Sequence, residues 1–185
     1  MVWIIRFAPI LFLVNSLLLG FFSSGYNPQR NSISSLVHVR LGYLQTANFV
    51  LCGLLTLGLA YYLKEYSGAT INSARLAHIG IIVFGASLVL LGFFPTDKPG
   101  QTTAIGQIHG AIFILSVFIQ AGLQLAVAFT NFPSAIAIYL VISGLISAFG
   151  LLGMAYVPEF RGYIQRILVG AIILWVTISS FWLRK

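Results

Sequence analysis

Ten Lys and Arg and three Asp and Glu are all the charge this chain of 185 residues carries. They fall between or near the ends of six long apolar runs, at residues 3–22, 36–63, 76–94, 104–129, 134–157 and 163–183. A helix needs about 20 apolar residues to cross the hydrocarbon core of a bilayer, and each run is of that order. A soluble domain has about a quarter of its residues charged. Here the charged share is 7% and the apolar share 59%, with a mean hydropathy of +0.99. Membrane-barrel strands are shorter and alternate in polarity, which these runs do not. The expected fold is all-α: a single polytopic membrane domain of six transmembrane helices.

Little chain is left outside the spans, so no soluble domain carries chemistry. The first run has no small-x-small cleavage site, and Arg6 follows Trp3 and two Ile instead of forming a basic leader, so it is expected to stay as a helix. The lone Cys52 falls inside the second run, which leaves no intramolecular disulfide to form. The formal charge of +7 sits beside lipid headgroups, and no basic-aromatic surface points to nucleic acid.

The runs are joined by hairpins that resemble one another. Residues 17–38 read LLLGFFSSGYNPQRNSISSLVH, and residues 88–109 read LVLLGFFPTDKPGQTTAIGQIH. Each closes an apolar run with Leu-Gly-Phe-Phe, turns through a polar segment with Pro, and places a His at the start of the next run. A weaker third copy, LLGMAYVPEFRGYIQRIL, covers residues 151–168. The chain therefore reads as three repeated helical hairpins, at about 3–63, 76–129 and 134–183. All three polar turns join odd to even helices and so share one side of the membrane. Asp97, Glu159, Arg30, Lys98 and Arg161 lie there. The other side has Lys64, Glu65, Arg75 and the tail Arg184-Lys185, with a nearly bare 131–134 connection. Lys and Arg divide five and five between the sides, so a plain positive-inside count assigns no orientation. Setting Arg40 and Arg166 aside as site residues makes the termini cytoplasmic and the hairpins extracytoplasmic.

Two helices carry polar stripes. At 100° per residue, His38, Gln45, Cys52 and Thr56 share one face of helix 2, with Asn48 at its edge, and His109, Ser116, Gln120 and Gln124 share one face of helix 4. Unpaired amides are costly in hydrocarbon, so the stripes are expected to face each other or a wet cavity. Gln45, Gln120 and Gln124 suit interhelical hydrogen bonding, about 1 kcal/mol or less each. Gly106 with Gly110, and Ser143, Gly144, Ser147 and Ala148, read as packing faces. Ser34, Ser35, Thr102 and Thr103 stand where hydroxyl N-caps are found, and Thr96 to Gly100 has turn composition.

Three motifs, Pro28…Ser32-Ile33-Ser34-Ser35-Leu36, Gly92-Phe93-Phe94-Pro95-Thr96-Asp97…Thr102…Ile108-His109, and Pro158-Glu159-Phe160-Arg161-Gly162…Gln165-Arg166, run through nearly the whole chain. Together they resemble a prokaryotic six-helix membrane family catalogued as domain of unknown function nine-nine-eight. The resemblance implies family positions at Ser34, Asp97, His109 and Arg166 and placement in a prokaryotic cell membrane. It implies no activity. Gln165 stands where the family pattern has Glu, and His38 is outside that pattern.

Ionisable groups at membrane depth point to function. One reading is a polar cup of Asp97, His109, Arg161 and Arg166 for the head of a lipid or other anionic amphiphile, with His38, Arg40 and Thr102 as further ligand-binding candidates, Glu159 orienting the Arg pair, and helix walls holding the tail. Arg suits phosphate and carboxylate because its planar fork binds two oxygens together. A second is a membrane hydrolase or transferase in which Ser34, His109 and Asp97 supply nucleophile, base and orienting acid. A zinc version has too few ligands, because His78 opens helix 3 at the other side. A third reading puts His38 and His109 on one haem iron. No other cofactor is indicated, and a pore is disfavoured by the apolar far end.

Overall fold

The computed structural model describes residues 5–67, 72–130 and 134–183, with the side chains of 65–67 and 72 excepted. The 131–133 connection, the Arg184-Lys185 tail, the first four residues and the Glu65 side chain lie outside that description. Among the described residues six α-helices follow in order: α1 (Ala8–Phe21), α2 (Gly42–Ser67), α3 (Asn72–Phe93), α4 (Ala104–Ala128), α5 (Ser134–Tyr156) and α6 (Arg161–Trp182). Two short 3-10 turns, Ser34–His38 and Pro158–Phe160, precede α2 and α6. Five helices, α2 to α6, are long and apolar enough to cross a membrane. Among the described residues the first run holds a helix of 14 residues that begins at Ala8 and has Pro9 in its first turn, where a missing N–H costs nothing.

Each helix packs on the next, and α6 returns to touch α1 and α3, so the bundle is closed with α3 and α6 at its centre. The broadest contact joins α2 to α3, across the boundary between the first two expected hairpins. Glycines cause this. A methyl on Gly53 or Gly92 would fall within 3.0 Å of Val89 or Val50 on the facing helix, so only bare backbone permits the approach. The far end is tied by Arg6, 1% exposed, which donates to the Ser180 carbonyl and stacks over Phe181 at 5.1 Å.

The polar stripes are packing elements, and they do not meet. On α2, Gln45 exchanges hydrogen bonds with Ser16 of α1, while Asn48 donates to the Phe12 carbonyl at 2.9 Å. On α4, Gln120 donates to the Gly80 carbonyl at 2.7 Å and accepts from Trp175 at 3.2 Å, joining α3 and α6. Gln124 differs: neither end of its fully buried amide has a partner. Ser143, Gly144 and Ser147 are a packing face, against Ala121 and Leu125 of α4 in the case of Gly144. Gly106 and Gly110 are not. A methyl on Gly106 would strike the Asp97 carboxylate, and one on Gly110 would meet nothing within 4 Å.

Candidate functional site

The first polar hairpin docks on the start of α6. The Gln29 carbonyl accepts from Gly162 N–H at 2.8 Å and Tyr163 N–H at 3.3 Å, which satisfies orphan donors of the first helical turn. Arg166 reaches up from α6 and donates to the carbonyls of Pro28 (2.8 Å) and Asn31 (3.1 Å), and to the Tyr26 hydroxyl. Burial pushes the Tyr26 phenol above its ordinary pKa, with Arg166 opposing, so it stays neutral and donates to the Ser32 carbonyl at 2.9 Å. One residue earlier on α6, the Gln165 Oε1 accepts from Ile33 N–H at 2.6 Å. Arg166, expected as an anion ligand, is thus committed to this loop.

The second hairpin is organised by Asp97, whose carboxylate accepts from Thr103 N–H at 3.0 Å and the Thr103 hydroxyl at 2.6 Å. Thr103 in turn accepts from Gly106 N–H at 3.1 Å, as the N-cap of α4. These Thr103 bonds hold the Asp97 carboxyl below its usual pKa, and the nearby His38 and His109 rings lower it further. Asp97 is therefore a capping residue of α4, and its oxygens are engaged by Thr103, not by an imidazole. Thr102 beside it is exposed and makes no cap.

Both histidines hold the same loop. His38 Nε2 donates to the Thr96 carbonyl at 2.7 Å, and His109 Nδ1 donates to the Phe94 carbonyl at 2.6 Å. A carbonyl only accepts, so a proton sits on His109 Nδ1, and whenever the ring is neutral the lone pair is on Nε2. His38 and Arg40 were expected inside helix 2. Instead they precede it, because the chain closes a 3-10 turn at His38, extends at Val39, and starts α2 only at Gly42. Gly42 sits so close to the Val37 carbonyl group that no Cβ fits. His38 and Arg40 are exposed, as are Arg30, Lys98 and Glu159.

Between these two anchored loops and the upper halves of α4, α5 and α6 lies a cavity of about 310 Å³. Its polar lining comes from Ser32, Ser34, Thr96, His109, Arg161 and Gln165. Phe113, Ile114, Leu151 and Met154 form its apolar wall. Ser34 and His109 are each 5% exposed and Gln165 is 4% exposed, yet the Ser34 hydroxyl, His109 Nε2 and Gln165 Nε2 make no hydrogen bond to the protein. Ser34 is not a cap, since its 3-10 turn has Ile33 in that position. Arg161 uses only Nε, to the Met154 carbonyl at 3.2 Å, and leaves both terminal nitrogens of its fork open. None of the three is a fully sealed atom; each belongs to a residue that lines the cavity, so water or a polar ligand there can pair with it. Ser34, Phe113 and Gln165 also line a second, central cavity of about 40 Å³ bounded by Phe12, Phe49 and Phe84.

Of the expected residues, the cavity brings together Ser34, His109 and Arg161. Asp97, Thr102, His38, Arg40, Glu159 and Arg166 do not line it. The expected Ser34-His109-Asp97 triad is thereby reduced to two members. For haem, each imidazole has one nitrogen committed to the 94–96 loop, His38 outside the cavity and His109 inside it; among the described residues no three His, Cys, Asp or Glu side chains cluster as metal ligands. Gln165 was passed over as a site residue. Its signal was its place next to Arg166 in the third motif, where an amide can accept from Ile33 and still offer N–H to the cavity.

A family model described as "Protein of unknown function (DUF998)" matches residues 7–182. No curated protein and no solved structure matches the chain.

Proposed function

Since the chain belongs to that family, whose description assigns no activity, we propose from the site alone that this integral membrane protein binds the anionic head of a lipid-like amphiphile in the cavity beneath its polar hairpins. The observation that carries the reading is the set of unpartnered polar atoms around one space. The Arg161 fork faces an anionic oxygen pair, a role for which planar guanidinium is suited. Gln165 Nε2 and the Ser34 hydroxyl add neutral donors, and His109 Nε2 accepts from a protonated oxygen or, when charged, donates. Phe113, Ile114, Leu151 and Met154 meet the start of the tail. The volume is at the lower end of small-molecule sites, roughly 300–1,000 Å³, which suits a head group and not a whole lipid.

The test is mass spectrometry of what co-purifies in mild detergent, wild type beside Arg161→Ala and His109→Ala. A defined anionic amphiphile that is present in wild type and depleted in both variants supports the reading. Identical extracts from all three overturn it.

A hydrolase or transferase is the second reading, favoured by one observation: His109 is held by its Nδ1 with Nε2 open in the cavity that Ser34 lines. That is the tautomer a general base needs, with a carbonyl in place of the orienting acid. Attack by Ser34 on an acyl carbonyl would pass its proton to His109 Nε2 and then to the leaving alcohol, and water would release the acyl group. Covalent labelling of wild type by a fluorophosphonate, lost in Ser34→Ala, supports it; no labelling sinks it.

The bundle fits a prokaryotic cell membrane with three repeated hairpins and the cavity on the outer side. With Arg166 committed to the hairpin, five Lys and Arg on the side of the termini stand against four on the other, a margin that supports cytoplasmic termini. Accessibility of single cysteines at positions 30 and 64 to an impermeant maleimide reads this directly, and labelling of position 64 from outside reverses it.

A further inference from the structure

Resting on that binding site, we infer that its ligand is a bilayer lipid admitted sideways, through a seam between the upper halves of α4 and α5, with its acyl chain left lying in the seam. The two helices pack closely in their lower halves. There, a methyl on Gly144 would sit 3.0 Å from Leu125 and 3.3 Å from the Ala121 carbonyl, and Val117, Gln120, Ala121, Leu140, Ser143 and Ser147 are buried. Above that level α5 leans on α6 instead: methyls on Gly150 and Gly153 would lie 2.9 Å from Leu168 and 3.4 Å from Ile164. With α5 packed on α6 at this level, a cavity lies between α5 and α4. From Ala104 to Ser116, α4 buries only His109, and from Leu151 onward α5 buries nothing.

The cavity follows this gap. Gly110 and Ile114 line it from α4, and Leu151, Met154 and Ala155 line it from α5. Ile114 lies ten residues into α4, about 15 Å along the axis at 1.5 Å per residue, roughly half the thickness of the hydrocarbon core. A polar cavity whose apolar wall runs that deep opens onto acyl chains as well as onto water. Ile114, on the cavity wall, is 48% exposed, so that wall reaches the outside of the bundle. Gly110 and Ala155 keep the seam unobstructed, and Gly110 projects into open space. The central cavity of about 40 Å³ is too small for an acyl chain, so the seam is the tail's only route among the described cavities that adjoin Arg161. The ligand class is therefore a carboxylate- or phosphate-headed lipid.

The test reconstitutes the full chain in phosphatidylcholine vesicles with one of two probes, a fatty acid or a phosphatidic acid carrying a diazirine on its acyl chain. After photolysis the labelled residues are located by peptide mass spectrometry. Gly110→Trp fills the seam, Ala155→Trp does so from the other wall, and Gly122→Trp adds the same bulk on α4 where a side chain also meets nothing within 4 Å. Expected is label on Ile114, Leu151 or Ala155 in wild type and Gly122→Trp, reduced at least tenfold in Gly110→Trp and Ala155→Trp. Label beside Arg161 or Ser34 that both seam variants leave intact overturns lateral access and keeps the head-group site. No site-specific label from either probe, in wild type, overturns both. The wild-type map is informative by itself should a tryptophan variant misfold.

Discussion

Replacing Gly162 by alanine is expected to loosen the whole polar end, because the first hairpin has been built down onto that one missing side chain. A Cβ there would lie within 3.0 Å of the carbonyl oxygens of Pro28, Asn31 and Gln29, and all three belong to backbone that cannot rotate away. The loop must lift by roughly half an ångström or more, a strain of about 1–3 kcal/mol by analogy with overpacked cores. Lifting also stretches the bond from Tyr163 N–H to Gln29, already 3.3 Å, past its useful range, and weakens the 2.8 Å bond from Gly162. Losing one of them adds about 1 kcal/mol. The sum, about 2–4 kcal/mol, corresponds to a Tm lowered by about 4–16 °C for a chain of this length. Since Ser32 and Ser34 follow the lifted segment into the cavity lining, ligand content should fall with it. Gly110→Ala is the control, for its methyl meets nothing, and a helical Gly-to-Ala exchange stabilises by up to about 1 kcal/mol. Thermal unfolding in detergent, followed by circular dichroism, measures both. A Gly162→Ala Tm within about 2 °C of wild type, against a smallest expected drop of about 4 °C, would refute the docking argument.

Arg161→Ala is expected to weaken binding of a carboxylate- or phosphate-headed lipid about 10- to 100-fold, with Arg161→Lys between the two because a point charge replaces a planar fork; equal binding by all three in a fluorescence titration contradicts the role. Asp97 gives a pH signature. Its folded pKa lies below the ordinary value of 3.8, so its contribution is complete above that value and is lost as pH falls through the folded pKa. The stability gap between wild type and Asp97→Asn is then widest near neutrality and closes in acid, and a Tm difference independent of pH excludes the cap. Gln124→Met is expected to stabilise by about 1–3 kcal/mol, since both amide ends are buried without a partner and a side chain of similar shape removes that cost. A lowered Tm for this variant means that an ordered water or another ligand satisfies the amide.

Hydropathy and charge are properties of the chain in one dimension, and what depends on them was legible in advance. The number of helices, the membrane as solvent and the end where polar groups gather all follow from where apolar runs start and stop. So do Gln45 and Gln120 as interhelical donors, since an amide in hydrocarbon has few alternatives. Where a run is broken by geometry alone, the reading failed: Gly42 is as apolar as its neighbours, yet a 3-10 turn at its threshold puts His38 and Arg40 outside the helix. The cavity was decided only in three dimensions. Arg166 and Gln165 adjoin in sequence, but one is spent on the Pro28 and Asn31 carbonyls, and the other, after accepting from Ile33 at a separation of 132 residues, keeps an N–H for the site. Asp97 and His109 both looked catalytic by residue type, and the difference lay in which donor reached the carboxylate first. Residue type fixes what a polar group can bond; only the fold decides which bonds are already made, and the atoms left over at Ser34, His109, Arg161 and Gln165 are where a ligand can still bind.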